Sequence, residues 1–310
     1  MKRGLIAWDR NELPPSVFES RIAAARQAFP ERGIWALVVY TDVWRSNRGR
    51  YFSNFMPYWN RALLLIPAED KPVLLCSLSP RVYPWIKSVT ILEDIKPSPN
   101  LVQQLLQVAA QKNWNRIGVL DLPGLPNDLW SGLQPATAAS AAVPEIVDVP
   151  WSAVRPQGAD EWELAMYRHA AKMARTILEE EIPGAPGQID YEFVGGLERK
   201  FRRAGAEDLV VLVTNGQTPP LPARGARLEE SFSVSVALEY RGHWVKVVRP
   251  RNAASGAATV QRENLAGPYP YQPAEQTGSI FVLHREFQED GRRLFHGDTY
   301  FEGKAGAELL

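Results

Sequence analysis

The sequence predicts an α/β domain followed by an α+β domain, and three observations support this fold class. The chain has 310 residues, enough for two domains that each bury a core. Strand and helix patterns alternate through residues 1–150. In residues 151–310, two amphipathic helix patterns come first, and runs that can pair as β-hairpins follow. We therefore predict two domains, 1–150 and 151–310.

The first domain begins with a helix pattern over residues 14–30, for which Ser16 is the candidate N-cap. A second helix is predicted over residues 100–112. Short apolar runs predict four strands, at residues 35–40, 61–67, 72–76 and 116–120. The Ala- and Ser-rich residues 136–143 are compatible with a short helix or a loose connection. We predict that residues 151–158 are the linker between the two domains.

The second domain begins with a long helix that Asp160 caps, with Glu163 in the capping-box position. Its predicted apolar stripe consists of Trp162, Met166, Ala170, Met173 and Ile177. Asp190 is the candidate cap of a second helix, and residues 209–214 predict a buried strand.

The end of the chain predicts a long loop and then a hairpin. Residues 251–278 are rich in Ala, Gly, Asn, Gln and Pro and show no periodicity, which is typical of a loop. Apolar runs at residues 280–287 and 292–301 flank a turn at residues 289–291. They predict the last hairpin.

Residues 234–250 predict a central β-hairpin with its turn at Arg241 and Gly242. This turn sets Tyr240 opposite His243 and gives one face to apolar side chains, because strand side chains alternate. The apolar face carries Val234, Val236, Leu238, Val245 and Val247. The other face carries Ser235, Ala237, Glu239, Trp244, Lys246 and Val248. We expect the chemistry on this second face.

The composition argues against several classes of partner. Thirty-five basic and thirty-five acidic residues give no net charge, so we expect neither nucleic-acid nor anionic-membrane binding. No segment approaches a membrane span, and the apolar run after Lys2 and Arg3 is too short for a signal peptide. Cys76, the single cysteine, excludes a disulfide within the chain and a cysteine metal cluster. A cytoplasmic protein with a small-molecule or peptide ligand is the expectation.

The order and spacing of several segments resemble the creatinase, prolidase and aminopeptidase P superfamily, whose catalytic half has the pita-bread fold. In the first half these segments are residues 33–39, 50–55 and 61–67. The later ones are residues 151–156, 160–164, 212–216, 241–244, 278–281 and 297–299. The resemblance implies an α/β N-terminal domain and a shortened pita-bread-like C-terminal domain. It also implies a homodimer in which the N-terminal domain of one chain covers the cleft of the other.

The metal positions of this superfamily hold different residues here. Family peptidases bind two metal ions through two Asp on the central hairpin, a His on the following segment and two Glu on the last hairpin. The Asp positions correspond to Ser235 and Lys246, the first Glu position to His284, and the second lies near Gly297. Residues 251–278, which would supply the His, contain none. We expect neither a metal site nor another cofactor.

Lys246 and His284 are the most informative residues at these positions. A protonated ammonium has three donors and no lone pair, so Lys246 cannot ligate a metal. It can supply the positive charge of the ion and bind a carboxylate or carbonyl oxygen, or it can pair with Glu239 or be solvated. His284 can act as a general acid or base, or it can be structural.

Four further residues are candidates for substrate binding: Ser235, Trp244, Arg249 and Tyr271. Arg249 ends its strand, where either anion binding or solvation is possible. Tyr271 lies in a Pro- and Tyr-rich stretch that could line a pocket lid or pack on the core. Ser235 has no base beside it in the sequence, which argues against a serine nucleophile.

Three functions remain open. The first is a relative without metallopeptidase activity that binds a small molecule or peptide in the cleft. The second is a metal-independent enzyme for a small C–N-containing substrate, since creatinase, which the chain resembles, cleaves a C–N bond without metal. His284 would be the acid or base, Glu239 its carboxylate partner or the substrate anchor, and Lys246 the oxyanion stabiliser. The third is a metal-dependent Xaa-Pro peptidase. Convergence of the three side chains on one enclosed pocket favours an enzyme, whereas neighbouring side chains that fill the site favour a binding protein.

Overall fold

The structure is a computed structural model that describes residues 7–57, 60–134, 143–155, 158–216, 218–252, 258–264, 279–289 and 291–310. The chain forms two compact units that divide between Pro156 and Gln157.

The N-terminal unit is a six-stranded mixed sheet with helices. Its helices are α1 (Pro15–Arg26), α2 (Phe29–Arg32), α3 (Asn47–Ser53), α4 (Tyr83–Val89), α5 (Leu101–Gln111), α6 (Asn127–Gly132) and α7 (Trp151–Val154). Its strands are β1 (Ala36–Thr41), β2 (Ala62–Pro67), β3 (Val73–Cys76), β4 (Asp94–Pro97), β5 (Arg116–Leu120) and β6 (Glu145–Val149). The strand order is β4-β3-β2-β1-β5-β6.

Both faces of this sheet are buried. Leu37 and Val39 of β1 pack into one apolar cluster, and Ala36 and Val38 pack into another. The two-sided burial explains why these strands read as continuous apolar runs in the sequence. The predicted α/β class of this unit is confirmed.

Local predictions in this unit were partly right. Asn100 caps α5 by accepting the backbone N–H of Gln103, so the helix predicted over residues 100–112 is confirmed. Ser16 is not the cap of α1; the cap position is Pro14, and no side chain caps this end. Pro15 begins the helix because a proline has no N–H to satisfy there. The predicted linker begins with the short helix α7, and residues 136–142 lie outside the described residues.

The C-terminal unit packs two helices on an antiparallel sheet. The helices are α8 (Glu161–Glu181) and α9 (Asp190–Arg203), and the strands are β7 (Asp208–Asn215), β8 (Phe232–Tyr240), β9 (His243–Pro250), β10 (Ala258–Asn264), β11 (Ile280–Glu289), β12 (Arg292–Gly303) and β13 (Gly306–Leu309). The strand order is β10-β11-β12-β9-β8-β7, and β13 pairs with β12. The predicted α+β class and both predicted hairpins are confirmed.

The core of this unit lies between the two helices and one face of the sheet, which we call the helix face. Met166 and Ala174 of α8 and Phe201 of α9 are buried against valines of β8 and β9. A buried Leu, Val or Phe side chain contributes about 1.5–3 kcal/mol to folding. This packing fixes the position of the central hairpin, whose opposite face is left for other contacts.

Two details of the helices differ from the sequence prediction. The capping box of Asp160 and Glu163 is present, but Trp162 is 40% exposed and leaves the apolar stripe. Glu163 and Leu164, and not Trp162, are the buried residues in the first turn of this helix. Asp190 does not cap α9, because its carboxylate accepts the backbone N–H groups of residues 224 and 225.

The prediction of a loop over residues 251–278 is wrong for β10. Within the described residues this strand pairs with β11 alone, from Ala258 opposite Phe287 to Asn264 opposite Phe281. The side chains of residues 259–262 are exposed, so the strand has no apolar alternation to reveal it. Residues 253–257 and 265–278 lie outside the described residues. No helix in the described ranges is long and apolar enough to cross a membrane.

Candidate functional site

The central hairpin has the predicted register. Its turn residues both have positive φ, 50° at Arg241 and 85° at Gly242, as a tight two-residue hairpin turn requires. Tyr240 is opposite His243, and Lys246 is opposite Ala237. Since the side chains alternate, Ser235, Ala237, Glu239, Trp244, Lys246 and Val248 share the face opposite the helices, which we call the site face.

Lys246, Glu263 and His284 come together on the site face, and we call them the site triad. The Lys246 Nζ atom is 3.4 Å from Glu263 Oε2, and His284 Nε2 is 2.8 Å from the same oxygen. The side chains are 13%, 23% and 12% exposed, in the order Lys246, Glu263, His284. One carboxylate oxygen, Glu263 Oε2, therefore lies close to both the Lys246 ammonium and the His284 imidazole, and all three side chains are largely buried.

The contact between Lys246 and Glu263 spans two intervening strands. Lys246 lies on β9 and Glu263 on β10, with β12 and β11 between them. At the usual strand spacing their backbones would be roughly 14 Å apart in a flat sheet. The two side chains meet because both are long and lean over the intervening strands, and the contact favours a sheet that curves towards this face.

Gly297 makes room for the His284 ring. The two residues are direct partners in the β11–β12 ladder. A Cβ atom at position 297 would lie 3.0 Å from His284 Nδ1 and 3.1 Å from the Leu283 carbonyl oxygen. Real Cβ atoms rarely have such close neighbours, so a side chain at position 297 would push the imidazole away.

Thr299 and Trp244 hold the base of the site. The Thr299 hydroxyl accepts the Lys246 N–H at 2.8 Å and donates to the Lys246 carbonyl oxygen at 2.9 Å. Trp244 is buried with Ala237 and Val282, which lie on the same face as Lys246 and His284. The backbone of Lys246 is thereby fixed, whereas its ammonium group has only one charged partner among the described residues.

The triad changes the acidity of its carboxyl group. The close approach of His284 lowers the pKa of Glu263 below its ordinary value of 4.5, and the charge of Lys246 acts in the same direction. Burial acts in the opposite direction but is the weaker influence. Glu263 is consequently a carboxylate at neutral pH.

Glu239 and Ser235 lie on the site face but outside the triad. Both are buried, with Glu239 opposite Trp244 and Ser235 opposite Val248. Among the described residues, His284 and Lys246 both contact Glu263. The pairing of His284 or Lys246 with Glu239 stays a prediction. Tyr271 lies outside the described residues.

Arg249 lies on the helix face and does not join these residues. Its Nη2 and Nη1 atoms donate to Asp298 at 2.8 and 3.1 Å, and the Asp298 side chain is only 6% exposed. Arg175 of α8 approaches the same carboxylate at 3.6 Å. We call Arg175, Arg249 and Asp298 the Asp298 network. Of the two alternatives for Arg249, anion binding or solvation at the surface, the structure shows neither a solvated nor an unpaired side chain, because Arg249 forms an internal ion pair with Asp298.

The described residues at the implied metal positions do not fit a dinuclear metal centre. Lys246 has no lone pair to give when protonated, and Gly297 has no side chain. No group of three or more His, Cys, Asp or Glu able to hold a metal ion occurs among the described residues. Glu263 and His284 are the two potential ligands in the triad, and their facing atoms already contact each other.

Sequence reasoning missed Glu263 and the role of Thr299. Glu263 follows Val260 and Arg262 in a stretch without periodicity, and nothing in the sequence indicates that its side chain reaches across β11 and β12 to Lys246. Thr299 lies in a segment that carried the family resemblance, but its hydroxyl contacts the backbone of another strand. The useful signal was the alternation of side chains in the central hairpin, which places Lys246 and Ser235 on one face and so pointed to the candidate site.

The fold is shared with solved proline-specific peptidases at low sequence identity. A Xaa-Pro dipeptidase from Bacillus anthracis superposes with a TM-score of 0.71 at 15% identity, covering 94% of this chain and 97% of that chain. A prolidase from Pyrococcus furiosus gives 0.70 at 12% identity, covering 93% of this chain and 98% of that chain. An X-Pro aminopeptidase from Thermotoga maritima MSB8 gives 0.68 at 13% identity, covering 91% and 97%.

These likenesses confirm the pita-bread type of fold that the sequence resemblance implied. No protein-family model matches the chain, and no curated protein matches it in sequence. At 12–15% identity the shared fold leaves the activity open.

Proposed function

We propose that this chain, which has the fold of prolidases and X-Pro aminopeptidases, binds a small-molecule or peptide ligand on its site face without the aid of a metal centre. The observation that supports the proposal is the convergence of Lys246 and His284 on one oxygen of Glu263. It places a cationic and a hydrogen-bonding group together where the resemblance expects a metal ion. In this proposal Lys246 supplies the positive charge at the centre of the site.

The geometry favours binding over catalysis. A binding protein is expected to have neighbouring side chains that fill the site, and the Glu263 carboxylate lies against both Lys246 and His284. A hydrolase needs a base that faces the substrate. Here the Nε2 atom of His284 faces a carboxylate of the protein itself.

The proposal is tested by a ligand-observed NMR screen of small acids, amides, amino acids and dipeptides. The screen uses the wild type, Lys246→Met and the matched control Lys71→Met. Lys71 forms an exposed ion pair with Glu93 in the N-terminal unit, so its replacement removes one lysine without touching the site. We expect binders whose affinity falls at least about tenfold in Lys246→Met and is unchanged in Lys71→Met. Equal binding to all three proteins, or no binder, would contradict the proposal.

A metal-independent hydrolase is the second candidate, and the 2.8 Å contact between His284 and Glu263 favours it. A carboxylate that accepts from one imidazole nitrogen orients the ring and strengthens the other nitrogen as a base. The test is hydrolysis of small amides and amidines in the presence of a chelator. His284→Ala should lower kcat by about 10²–10⁴-fold, and Ser235→Ala should not. Turnover that the chelator abolishes would overturn this candidate.

A further inference from the structure

The site triad indicates which chemical class of ligand the site accepts. We infer that the ligand presents a carboxylate to Lys246 and His284, and that Glu263 occupies the position of this carboxylate when the ligand is absent. The inference rests on the proposed function, because it names the ligand of that same site.

The first argument is charge. The contact atoms are one ammonium group and one imidazole nitrogen, and they share a single carboxylate oxygen. Exchange of one carboxylate for another leaves the charge of the site unchanged. A neutral amide would leave Lys246 largely buried without a counter-ion, which is costly. A carboxylate is therefore the group that can replace Glu263 without an electrostatic penalty.

The second argument is the looseness of the existing contact. The distance from Lys246 Nζ to Glu263 Oε2, 3.4 Å, is long for a charge-assisted hydrogen bond, which is usually about 2.7–2.9 Å. Lys246 has three N–H donors, and one carboxylate oxygen uses one of them. A ligand carboxylate that approaches the nitrogen closely would form a stronger bond.

The third argument is that Glu263 can leave without unfolding its strand. Seven residue pairs hold β10 against β11. The neighbouring Arg262 forms its own ion pair with Glu302 at 2.6 Å and lies 3.7 Å from the ring centre of Phe281. These contacts do not involve the Glu263 side chain, so a change of its side-chain rotamer keeps the edge strand in place. Glu263 is also the most exposed member of the triad, and its carboxylate can be solvated after the exchange.

The test compares two probes of nearly equal shape, propionate and propionamide, by titration of the wild type and of Glu263→Gln. The glutamine keeps the size of the side chain and removes its charge. We expect propionate to bind Glu263→Gln at least about fivefold more tightly than the wild type, because the competing anion is gone. Propionamide should bind neither protein measurably. Addition of Lys246→Met to Glu263→Gln should abolish the propionate binding.

The matched control is Glu302→Gln. It removes a carboxylate from the other ion pair of β10 and leaves the triad intact, so its propionate affinity should equal that of the wild type. A second measurement does not depend on the fold of a variant: propionate added to the wild type should shift the NMR signals of the His284 ring. The chain has only four histidines, which makes this signal assignable.

The outcomes separate this inference from the proposed function. If propionate binds Glu263→Gln no better than the wild type, or if propionamide binds as well as propionate, the ligand class is wrong. The proposed function then survives provided that other compounds bind in a Lys246-dependent way. If no compound of the wider screen depends on Lys246, the proposed function itself fails.

Discussion

Two ionic groups each include a residue of β9, Arg249 in one and Lys246 in the other, and they lie on opposite faces of the sheet. On the helix face, Asp298 is 6% exposed and accepts two bonds from Arg249, with Arg175 nearby. On the site face, Glu263 reaches in from the edge strand and offers one oxygen to Lys246 and His284. The Asp298 network joins neighbouring strands and a helix, whereas the contact of Lys246 with Glu263 spans two strands. The difference is consistent with a structural role for the first group and, under the function proposed above, with a ligand-binding role for the second.

The largest expected effect comes from breaking the Asp298 network. Asp298→Asn keeps the shape of the side chain and leaves Arg249 and Arg175 without their shared carboxylate. The free energy of unfolding of the C-terminal unit should fall by about 3–5 kcal/mol, as is typical when one partner of a buried pair is removed. Urea unfolding measures it, with Glu93→Gln in the exposed Lys71 pair as the control that should change the free energy of unfolding little, because solvent screens an exposed pair. A loss as small as that of the control would contradict the structural role.

Gly297→Ala should have the next largest effect, and it acts on the site face. The new Cβ atom would lie 3.0 Å from His284 Nδ1 and 3.3 Å from Val248 Cγ2, so the ring or the strand must move. We expect a destabilisation of about 1–3 kcal/mol. The His284 ring signals should also change in the NMR spectrum, whereas those of the exposed His169 on α8 should not. An unchanged His284 spectrum would show that Gly297 does not position the ring.

Lys246→Met should change stability less than either of these substitutions. Methionine keeps an unbranched apolar chain at the position, and Glu263 retains its contact with His284. We expect a loss of at most about 1 kcal/mol, together with the loss of ligand binding described above. A loss similar to that of Asp298→Asn would mean that the triad is structural, and the contrast between the two faces would disappear.

Acid should produce the smallest of these effects through Glu263. Since its pKa in the folded protein is below 4.5, the carboxylate stabilises the fold above that pH. This contribution is lost as the pH falls through the lowered pKa, where the folded protein takes up the proton. The contribution of the ionised Glu263 to the stability difference between the wild type and Glu263→Gln should therefore be largest well above pH 4.5, and it should decrease as the pH falls through 4.5 and then through the lowered pKa. A difference that grows as the pH falls would contradict the lowered pKa.

The sequence predicts the site only where local rules determine the geometry. The turn at Arg241 and Gly242 fixes the register of β8 and β9, and register alone places Lys246 and Ser235 on one face. Glu263 could not be found in this way, because its strand has exposed side chains and lacks an apolar pattern. The reach of Glu263 to Lys246 across β11 and β12 depends on the order of the strands in the sheet, which no local pattern reveals.

The errors at Asp190 and Trp162 have the same origin. A carboxylate at the start of a helix predicts a cap, but the backbone N–H groups of the 224–225 segment hold Asp190. The spacing of Trp162 is compatible with the apolar stripe, but the core accepts Glu163 and Leu164 instead. In both cases a segment that is distant in sequence, or the choice of which helix residues face the sheet, overrides the local pattern.

The most direct test of the central claim, that Lys246 takes the place of metal charge, is a metal measurement on the wild type. Protein treated with a chelator is given manganese, cobalt or zinc, and its metal content and thermal midpoint are recorded. We predict no retained metal and an unchanged midpoint with each ion. Near-stoichiometric metal would contradict the claim. So would a clear rise in the midpoint, since an ion present at one hundred times its Kd stabilises a protein by about 2.7 kcal/mol.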